Sequence, residues 1–570
     1  MNRSIIFFDS TTRLVNPIDF GFNDKKIVEL FIATEKNIDQ QLTGIISENI
    51  IDDEFTNIII PVCFGDFLSN FLGLRFATHI RCTTGINQHA NIFLYSFTGI
   101  KDYFSNECFN ILRTKGVFLI DYNIDSIINS TFIKEKQLSK SNLVHEVKKL
   151  KLDVPLNYED PHSIANEWAI YRWANTISTK DESIGKIESK LENDLYFKYL
   201  KTIYPTSEFQ LLKEDDLKLN FEGKPTVLYI DDEAEKGWKE IFEKILIDNN
   251  NTDFIHLGNE FNEKTKNEVV EFSLKEVNDK DVDLVILDFR LHKEDFEKIP
   301  IEDITGYQIL KRIKEYNKGI QVIIFSATNK IWNLQALQEI GADGFIVKEA
   351  PENSNDPGFT KKSIENMMIS INSCFEHSFL KYFESKHNQL KFELLPRKEF
   401  KQTSKPLPKE FVDEVLKWSG LCLNILQNKL NQENLTSTFL LYFSIIENMS
   451  NRVIETENPI HEGNFYKFQF RKNFQRLNNF IEDEENEGFY RKTNSQYKSK
   501  SRRLAWAIKI YNTIDFISDD QYSLESINEL VSKRNKIIHL NSTFGDVIEI
   551  EKKDIILLND IMNKGLLNII

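Results

Sequence analysis

The chain has 570 residues, which is too long for one hydrophobic core, so several domains of about 100–200 residues are expected. With 41% hydrophobic and 28% charged residues and no apolar run near the roughly 18 residues of a membrane span, the composition excludes a membrane protein. A net charge of −16 argues against a protein coated with nucleic acid along its whole length.

The first 14 residues, MNRSIIFFDSTTRL, contain a short apolar run that ends at Asp9. They lack the long apolar core and the small-residue cleavage site of a signal peptide, so we expect a cytoplasmic protein. The five cysteines are scattered and form no CxxC pair, which fits reduced thiols rather than a disulfide framework or a zinc site.

Residues 1–125 contain four strand-like runs, SIIFF, TNIIIPV, NIFLYSF and GVFLIDY, with helix-like segments between them. This alternation predicts an α/β domain. Residues 126–220 include the aromatic and helix-like segments HSIANEWAIYRWANTI and ENDLYFKYLKTIYP. We interpret them as a helical connector that packs between domains rather than as a ligand site.

Between residues 224 and 350, the apolar runs TVLYI, DVDLVILDF, QVIIFSA and DGFIVKE alternate with amphipathic helical segments. This pattern predicts βαβ units and a doubly wound parallel sheet. The loops at the carboxyl ends of such strands converge on one crevice. Five polar residues at successive strand ends should therefore meet: Asp231, Asp232, Asp288, Ser326 and Lys348.

These residue types fit the transfer of a phosphoryl group to a carboxylate. A divalent cation held by carboxylates offsets the negative charge that accumulates around phosphorus, and three aspartates can hold Mg²⁺. After transfer, the hydroxyl of Ser326 and the ammonium of Lys348 can each bind a phosphoryl oxygen. The sequence therefore predicts a magnesium-dependent phosphoryl site in this crevice.

On these residues, the segment 224–375 resembles the receiver domains of response regulators. The resemblance implies a Mg²⁺ site at Asp231 and Asp232 and a phosphoryl-accepting role for Asp288, charged by a histidine kinase or another phosphodonor protein. The remaining motif positions are a backbone carbonyl for the metal, the two switch residues and the invariant lysine, which fall on Arg290, Ser326, Phe345 and Lys348.

One position departs from the family pattern. Receiver domains usually have a proline after the lysine, often with a cis bond, whereas this chain has Glu349. The geometry of the loop beside the site is therefore not predicted by the resemblance.

Residues 1–125 resemble a degenerate second receiver domain. Asp9 is the single acidic residue directly after the first strand, Pro61 and Val62 occupy roughly the acceptor position, and no lysine ends the last strand. We expect a pseudo-receiver that serves as a docking or dimer surface, with an unrelated α/β sensor as the alternative.

After a helical linker at 376–394, residues 395–570 are predicted to form a helical effector bundle. The residues from Pro396 onward include 25 basic and 24 acidic side chains, so this part alone is electrostatically permissive towards a polyanion. In the helical segment ELVSKRNKIIHLNS, Arg534 falls within or beside the apolar stripe and requires a partner. Glu447, which also lies among apolar residues, is the candidate.

The segment RNKIIH matches the RxxxxH motif of HEPN domains, and FSIIENMS is similar to their first core helix, so the resemblance covers about 395–570. It implies a metal-independent endoribonuclease in which two chains join their motifs and an RNA 2′-hydroxyl attacks the adjacent phosphate. Arg534 would stabilise the developing charge, Asn535 would position the motif, and His539 would orient or transfer protons. A homodimer or higher homo-oligomer is therefore expected.

A basic segment, RKTNSQYKSKSRR, lies between these motifs and lacks acidic residues. It can track RNA phosphates, although a basic run is also a common solvated segment. The candidate RNA-binding residues are Arg491, Lys492, Lys498, Lys500, Arg502 and Arg503.

The combined hypothesis is a phosphorylation-regulated ribonuclease, and such gating suits toxin-like or antiviral defence by family analogy. The alternative is a non-enzymatic signalling adaptor whose HEPN-like bundle mediates dimerisation or partner binding. A third interpretation, an autonomous metal phosphatase, is weaker because Ser326 and Lys348 fit a phosphate carrier better than a hydrolase.

Overall fold

The structure is a computed structural model. It describes residues 3–9, 25–32, 37–65, 68–130, 137–155, 161–204, 210–248, 250–327, 331–353, 356, 358–399, 409–428, 430–462, 465–470, 479–483, 488–492, 496–499, 506, 509–511, 513–514, 522–538 and 548–569.

Five parallel strands form the first sheet, in the order β2-β1-β3-β4-β5. The central strands bury branched and aromatic side chains on both faces, as a parallel sheet covered by helices requires. The elements are β1 (Ser4–Phe8), β2 (Lys25–Glu29), α1 (Ile38–Asn49), β3 (Asn57–Pro61), α2 (Leu72–Cys82), β4 (Asn91–Ser96), β5 (Val117–Asp121) and α3 (Ile124–Ser130).

A connector of four helices follows: α4 (Lys140–Val147), α5 (Pro161–Thr176), α6 (Glu182–Asn193) and α7 (Leu195–Ile203). Trp168 and Trp173 of α5 are fully buried, and helix α5 has apolar side chains around much of its circumference. A helix of this kind is covered on several sides. One continuous apolar core joins the first sheet, the connector and one face of the second sheet.

The second sheet is also five-stranded and parallel, in the order β10-β9-β8-β6-β7. Both sheets belong to α/β units, as the alternating pattern predicted. The elements are β6 (Thr226–Ile230), α8 (Trp238–Glu243), β7 (Asp253–Leu257), α9 (Lys266–Asp279), β8 (Leu284–Leu287), α10 (Thr305–Tyr316), β9 (Gln321–Ser326), α11 (Ile331–Glu339), β10 (Gly344–Val347) and α12 (Phe359–His377).

The sequence analysis missed the edge strands β2 and β7, each of which is the second strand of its sheet along the chain. Several residues of these strands are exposed or half-buried, and their sequences KKIVE and DFIHL carry charged ends. An edge strand is paired on one side only, so it needs a weaker apolar pattern than a central strand.

The C-terminal region is mainly helical, as predicted, and one apolar core joins its helices. Its described residues also include five antiparallel strands between residues 454 and 499, which the sequence analysis did not include. The elements are α13 (Phe379–Glu399), α14 (Lys409–Asn428), α15 (Gln432–Val453), β11 (Ile454–Glu462), β12 (Phe465–Phe470), β13 (Asn479–Asp483), β14 (Gly488–Lys492), β15 (Gln496–Ser499), α16 (Leu524–Ile538) and α17 (Lys552–Ile569).

Helix α13 covers most of the segment 376–394 that the sequence analysis assigned to a linker. Its residues Leu380, Phe383 and Leu390 lie in the same core as the C-terminal helices, so α13 packs as part of the bundle. No helix in the described part of the chain combines the length and the apolar composition needed to cross a bilayer.

A buried polar cluster fastens the first domain to the connector. The Asp39 carboxylate of α1 accepts hydrogen bonds from Arg75 and from the backbone N–H of Leu195, at the start of α7. His79 Nε2 lies 2.8 Å from Asp39 Oδ1, and the His79 ring is fully buried. Burial lowers the pKa of His79 to about 4, against the opposing influence of Asp39.

Lowering the pH should destabilise the first domain through His79. The unfolded state binds a proton near pH 6.5 and the folded state only near pH 4, so stability falls with pH between these values. The loss is on the order of 2–3 kcal/mol at pH 4. His79→Gln keeps a donor for Asp39 but does not titrate, so its Tm should change less between pH 7 and pH 5. Equal changes in Tm for both proteins would contradict this account.

Candidate functional site

A pocket lies at the carboxyl edge of the second sheet, where four adjacent strands end. Asp231 follows β6, Asp288 follows β8, Ser326 ends β9 and Lys348 follows β10. All four residues are buried, and the side chains of Asp231, Asp288 and Lys348 meet. The parallel sheet therefore brings together residues that are up to 117 positions apart in the sequence.

Lys348 joins two of the aspartates. Its ammonium lies 2.6 Å from Asp231 Oδ2 and 3.0 Å from Asp288 Oδ2, and all three side chains are almost inaccessible to water. Burial by itself favours the neutral amine, but the two carboxylates outweigh it and raise the pKa of Lys348. The rings of Phe325 and Trp238 lie 5.2 and 5.5 Å from the ammonium and add cation–π contacts.

The third carboxylate, Asp232, is exposed at the mouth of the pocket. Carboxylate oxygens of Asp231, Asp232 and Asp288 all lie within 4.8 Å of one another. Desolvation in the crevice and the charges of Asp231 and Asp288 raise the pKa of Asp232 well above its ordinary value. The pKa of Asp231 is lowered because Lys348 outweighs its burial.

Three carboxylates around a single ammonium leave an excess of negative charge in a small volume. Oxygen ligands at this spacing and a solvent-facing carboxylate fit Mg²⁺, which binds proteins through a few carboxylates and keeps several waters. The chemistry of the donor set formed by Asp231, Asp232 and Asp288 therefore fits the metal that the sequence analysis assigned to it.

Backbone and side-chain donors orient the two buried aspartates. Asp231 accepts a hydrogen bond from the backbone N–H of Glu233 at 2.8 Å and a short one from the Tyr229 hydroxyl. Asp288 accepts one from the backbone N–H of Phe289 at 2.6 Å. The sequence analysis missed Tyr229, which lies on β6 two residues before Asp231, a spacing that places both side chains on the same face.

A third buried aspartate, Asp295, shapes the loop after Asp288. Asp295 accepts hydrogen bonds from three backbone N–H groups, those of Leu291, His292 and Thr305, and it forms a 2.8 Å ion pair with Lys266. Beside it, a Cβ on Gly306 would lie 2.5 Å from the backbone oxygen of Phe289. This close approach explains the glycine. No short motif marks Asp295 in the sequence, because its partners are backbone groups.

The remaining residues of the receiver pattern lie close to the pocket. Ser326 is buried at the end of β9, and Phe345 is half-buried on β10, the neighbouring strand. Arg290 follows Asp288 by two residues, and its guanidinium lies 5.3 Å from the ring centre of Phe296.

Glu349, which replaces the usual proline, is fully buried and polar. Its carboxylate pairs with Arg172 Nε at 3.2 Å and accepts a hydrogen bond from the Thr360 hydroxyl. Since Arg172 lies on the connector helix α5, the departure from the family pattern is also a contact between domains.

The first sheet has no equivalent pocket among the described residues. The Asp9 carboxylate accepts a hydrogen bond from the backbone N–H of Gly65 at 2.9 Å. Strand β3 ends at Pro61, where an acceptor carboxylate would follow, and β5 ends at Asp121 rather than at a lysine. In the described part of the chain, the metal-type cluster is the one around Asp288.

A second polar group lies in the C-terminal bundle. Arg534 of α16 pairs with Glu447 of α15, donates to Asn535 Oδ1 at 3.3 Å and stacks on Trp506 at 4.4 Å from the ring centre. Asn535 is buried, and burial raises the pKa of Glu447 although Arg534 opposes this shift. His539 lies outside the described residues.

Part of the basic segment RKTNSQYKSKSRR lies in strands. The backbones of Arg491 and Lys492 end strand β14, and Lys498 lies in β15, opposite Lys467 of β12. Part of the segment is therefore antiparallel sheet. The other candidate RNA-binding residues, Lys500, Arg502 and Arg503, lie outside the described residues.

Two family models match separate parts of the chain. The inactive receiver domain model matches residues 15–120, and the response regulator receiver domain model matches residues 264–354. The second match contains Asp288 and Lys348, whereas Asp231 precedes it and joins the pocket through strand β6. No curated protein matches the chain.

Several solved structures are similar to part of the chain. The receiver domain of Francisella response regulator 1452 is 19% identical with a TM-score of 0.19, covering 27% of this chain and 99% of that one. The CheX–CheY–BeF3–Mg²⁺ complex from Borrelia burgdorferi is 21% identical with a TM-score of 0.18, covering 26% of this chain and 89% of that one. NtrX from Brucella abortus, in complex with ADP, is 20% identical with a TM-score of 0.20, covering 30% of this chain and 34% of that one.

Each family match overlaps one of the two sheets: the first contains β2 to β4 and most of β5, and the second contains β8 to β10. The chain contains two receiver-type domains, an inactive receiver domain near its N-terminus and a response regulator receiver domain that carries the pocket around Asp288.

Proposed function

We propose that the chain is a phosphorylation-regulated response regulator whose C-terminal region is a metal-independent endoribonuclease. The observation that carries the first half is the ammonium of Lys348, which bridges Asp231 and Asp288 in a buried pocket with Asp232 at its mouth. A histidine kinase or another phosphodonor protein would supply the phosphoryl group.

The pocket fits phosphoryl transfer to Asp288. Asp231, Asp232 and Asp288, with the backbone carbonyl of Arg290, would hold Mg²⁺, which supplies charge neutralisation when bound. An oxygen of Asp288 forms the new bond to phosphorus while the bond from phosphorus to the donor breaks. Lys348 can then pair with a phosphoryl oxygen instead of the Asp288 carboxylate.

Ser326 and Phe345 are the proposed switch residues. The Ser326 hydroxyl, buried at the end of β9, is the group that would donate to a phosphoryl oxygen. Phe345 lies on the neighbouring strand, where it is half-buried and packs against the apolar core of the domain. Its ring would change position when Asp288 is phosphorylated. The resulting change in surface would gate the effector.

The proposed effector chemistry rests on the group around Arg534. A guanidinium has five N–H donors, so Arg534 can pair with Glu447 and Asn535 and still donate to a phosphate. In the HEPN-type reaction an RNA 2′-hydroxyl attacks the adjacent phosphate, with His539 orienting or transferring the proton. Two copies of the motif form one site, which implies a homodimer or higher homo-oligomer.

A second candidate is a signalling adaptor whose helical bundle mediates dimerisation or partner binding. The same contacts favour it, because an arginine paired with Glu447 and stacked on Trp506 can serve packing alone. The two candidates differ in RNA cleavage. A role in toxin-like or antiviral defence follows from the nuclease candidate by family analogy only.

Asp288→Asn should abolish stable phosphoryl incorporation from a small donor such as acetyl phosphate in the presence of Mg²⁺. The amide removes the acceptor oxygen and one proposed metal ligand together. Incorporation is measured as a mobility shift in phosphate-affinity gels. Asp283→Asn is the matched control, because Asp283 precedes the same strand at its opposite end and pairs with Lys381. Undiminished labelling of the Asp288 variant would refute the assignment.

Arg534→Ala and His539→Ala should each lower RNA cleavage by at least about 100-fold, the usual scale for loss of an acid–base or charge-stabilising group. Cleavage is followed with a fluorescent single-stranded RNA, with and without acetyl phosphate. Lys553→Ala removes an exposed cation that pairs with Glu551, and it should leave cleavage unchanged. Cleavage that survives His539→Ala would exclude the site, and absence of cleavage in every state would favour the adaptor.

A chelator should separate the two halves of the proposal. EDTA should stop phosphoryl incorporation at Asp288, because the carboxylates of Asp231, Asp232 and Asp288 need a cation to offset their charge. RNA cleavage by protein phosphorylated beforehand and then treated with EDTA should continue. Loss of cleavage under these conditions, with the phosphoryl group retained, would show that the nuclease step needs a metal.

A further inference from the structure

The residue beside the pocket lysine makes a buried contact with another part of the chain. Glu349 follows Lys348 directly, and its carboxylate pairs with Arg172 of connector helix α5. The side chains of Arg172 and Glu349 are 3% and 0% exposed, so this pair excludes water almost completely. A buried pair holds its partners firmly, since separating them leaves an uncompensated charge in the interior.

The same helix reaches a second loop of the pocket. Glu233, whose backbone N–H donates to Asp231, accepts hydrogen bonds through its carboxylate from Ser163 and Asn166 of α5. Asn166 also accepts a hydrogen bond from the Trp238 indole at 2.6 Å. Helix α5 therefore holds the loop after β6 as well as the loop after β10.

Between these two ends, α5 packs closely on the receiver domain. The ring of Trp173 lies 5.4 Å from Trp238 and 5.3 Å from Phe325, the two aromatic residues beside the Lys348 ammonium. Gly237 permits the approach: its φ is +141°, and a Cβ there would lie 2.8 Å from Ile170 of α5. The contact is continuous along the helix.

We propose that helix α5 positions the phosphoryl pocket and senses its state, with Arg172 acting through Glu349 and Asn166 acting through Glu233. Arg172 and Asn166 are positioning residues, because they touch neighbours of the reacting groups rather than the groups themselves. This inference deepens the proposed function and rests on the pocket around Asp288 being the phosphoryl site.

The physical route is short. When Lys348 changes its partner from the Asp288 carboxylate to a phosphoryl oxygen, the adjoining peptide and Glu349 must adjust. The adjustment strains or relaxes the buried pair with Arg172. Because coupling between sites is reciprocal in free energy, α5 must bias the pocket as strongly as the pocket biases α5. Preorganised ligands bind a cation more tightly, so loosening α5 should weaken Mg²⁺ binding.

Helices α6 and α7 lead from α5 to the inactive receiver domain. Glu167 of α5 forms a 2.6 Å ion pair with Lys190 of α6. The first residue of α7, Leu195, donates its backbone N–H to Asp39 of the first domain. The connector thus has a polar contact to each receiver-type domain, in addition to the apolar core they share. The partner that α5 would inform is the inactive receiver domain of the same chain.

The test compares Mg²⁺ affinity in the full-length wild type and in the double variant Arg172→Met, Glu349→Gln. Removing both partners avoids a lone buried charge. Trp238, 5.5 Å from Lys348, makes tryptophan fluorescence a suitable probe of the titration. We expect at least a threefold weaker Mg²⁺ affinity in the double variant. Lys186→Met, which removes an exposed ion pair with Glu182 on α6, should leave the affinity unchanged.

A second readout distinguishes positioning from simple stability. Hydrogen–deuterium exchange of α5 peptides should change when wild type binds Mg²⁺ and beryllofluoride, a phosphoryl mimic, and this change should be lost in the double variant. If the double variant unfolds, Asn166→Ala replaces it in both measurements. Equal Mg²⁺ affinity together with an unchanged α5 response would overturn the proposal.

The outcome can be separated from that of the proposed function. Failure of wild type to take up a phosphoryl group, with a weaker Mg²⁺ affinity in the double variant, would remove the phosphoryl-acceptor role and leave the positioning role of α5. Normal phosphoryl uptake by wild type, with identical Mg²⁺ affinities in wild type and double variant and no α5 response, would remove the positioning role of α5 and leave the phosphoryl-acceptor role.

Discussion

The ammonium of Lys348, buried between Asp231 and Asp288, is the interaction on which the receiver domain depends. Neither the cation nor the carboxylates could be buried at this depth without the others, because each would carry a large desolvation penalty. These contacts link the carboxyl ends of β6, β8 and β10. The negative charge that remains, with Asp232 at the mouth, fits a divalent cation.

This pocket is not isolated from the rest of the chain. Glu349 and Glu233, which adjoin the pocket residues, are held by the connector helix α5 through Arg172 and Asn166. The inactive receiver domain, in which Asp9 caps a loop, shares an apolar core with the connector. The first domain is thus packed into the same body as the pocket.

The C-terminal bundle also holds a cation among largely buried side chains, the guanidinium of Arg534. Arg534 is paired with Glu447 and stacked on Trp506, so its guanidinium is fixed in orientation. A fixed guanidinium suits both the binding of a phosphate and the packing of a bundle. Chemistry on RNA, rather than geometry around Arg534, is what distinguishes the two proposed functions.

The sequence by itself determined the two α/β domains, the order of the pocket residues and the pairing partner of Arg534, because strand periodicity and misplaced charges are local signals. It did not reveal the edge strands β2 and β7 or the strands between α15 and α16. Only the tertiary structure showed that Tyr229, Asp295 and Arg172 serve the pocket. Asp295 accepts from backbone groups and Arg172 pairs with Glu349, 177 positions away, so only folding brings these partners together. Tyr229 lies two residues before Asp231, but no sequence pattern shows that its hydroxyl reaches that carboxylate.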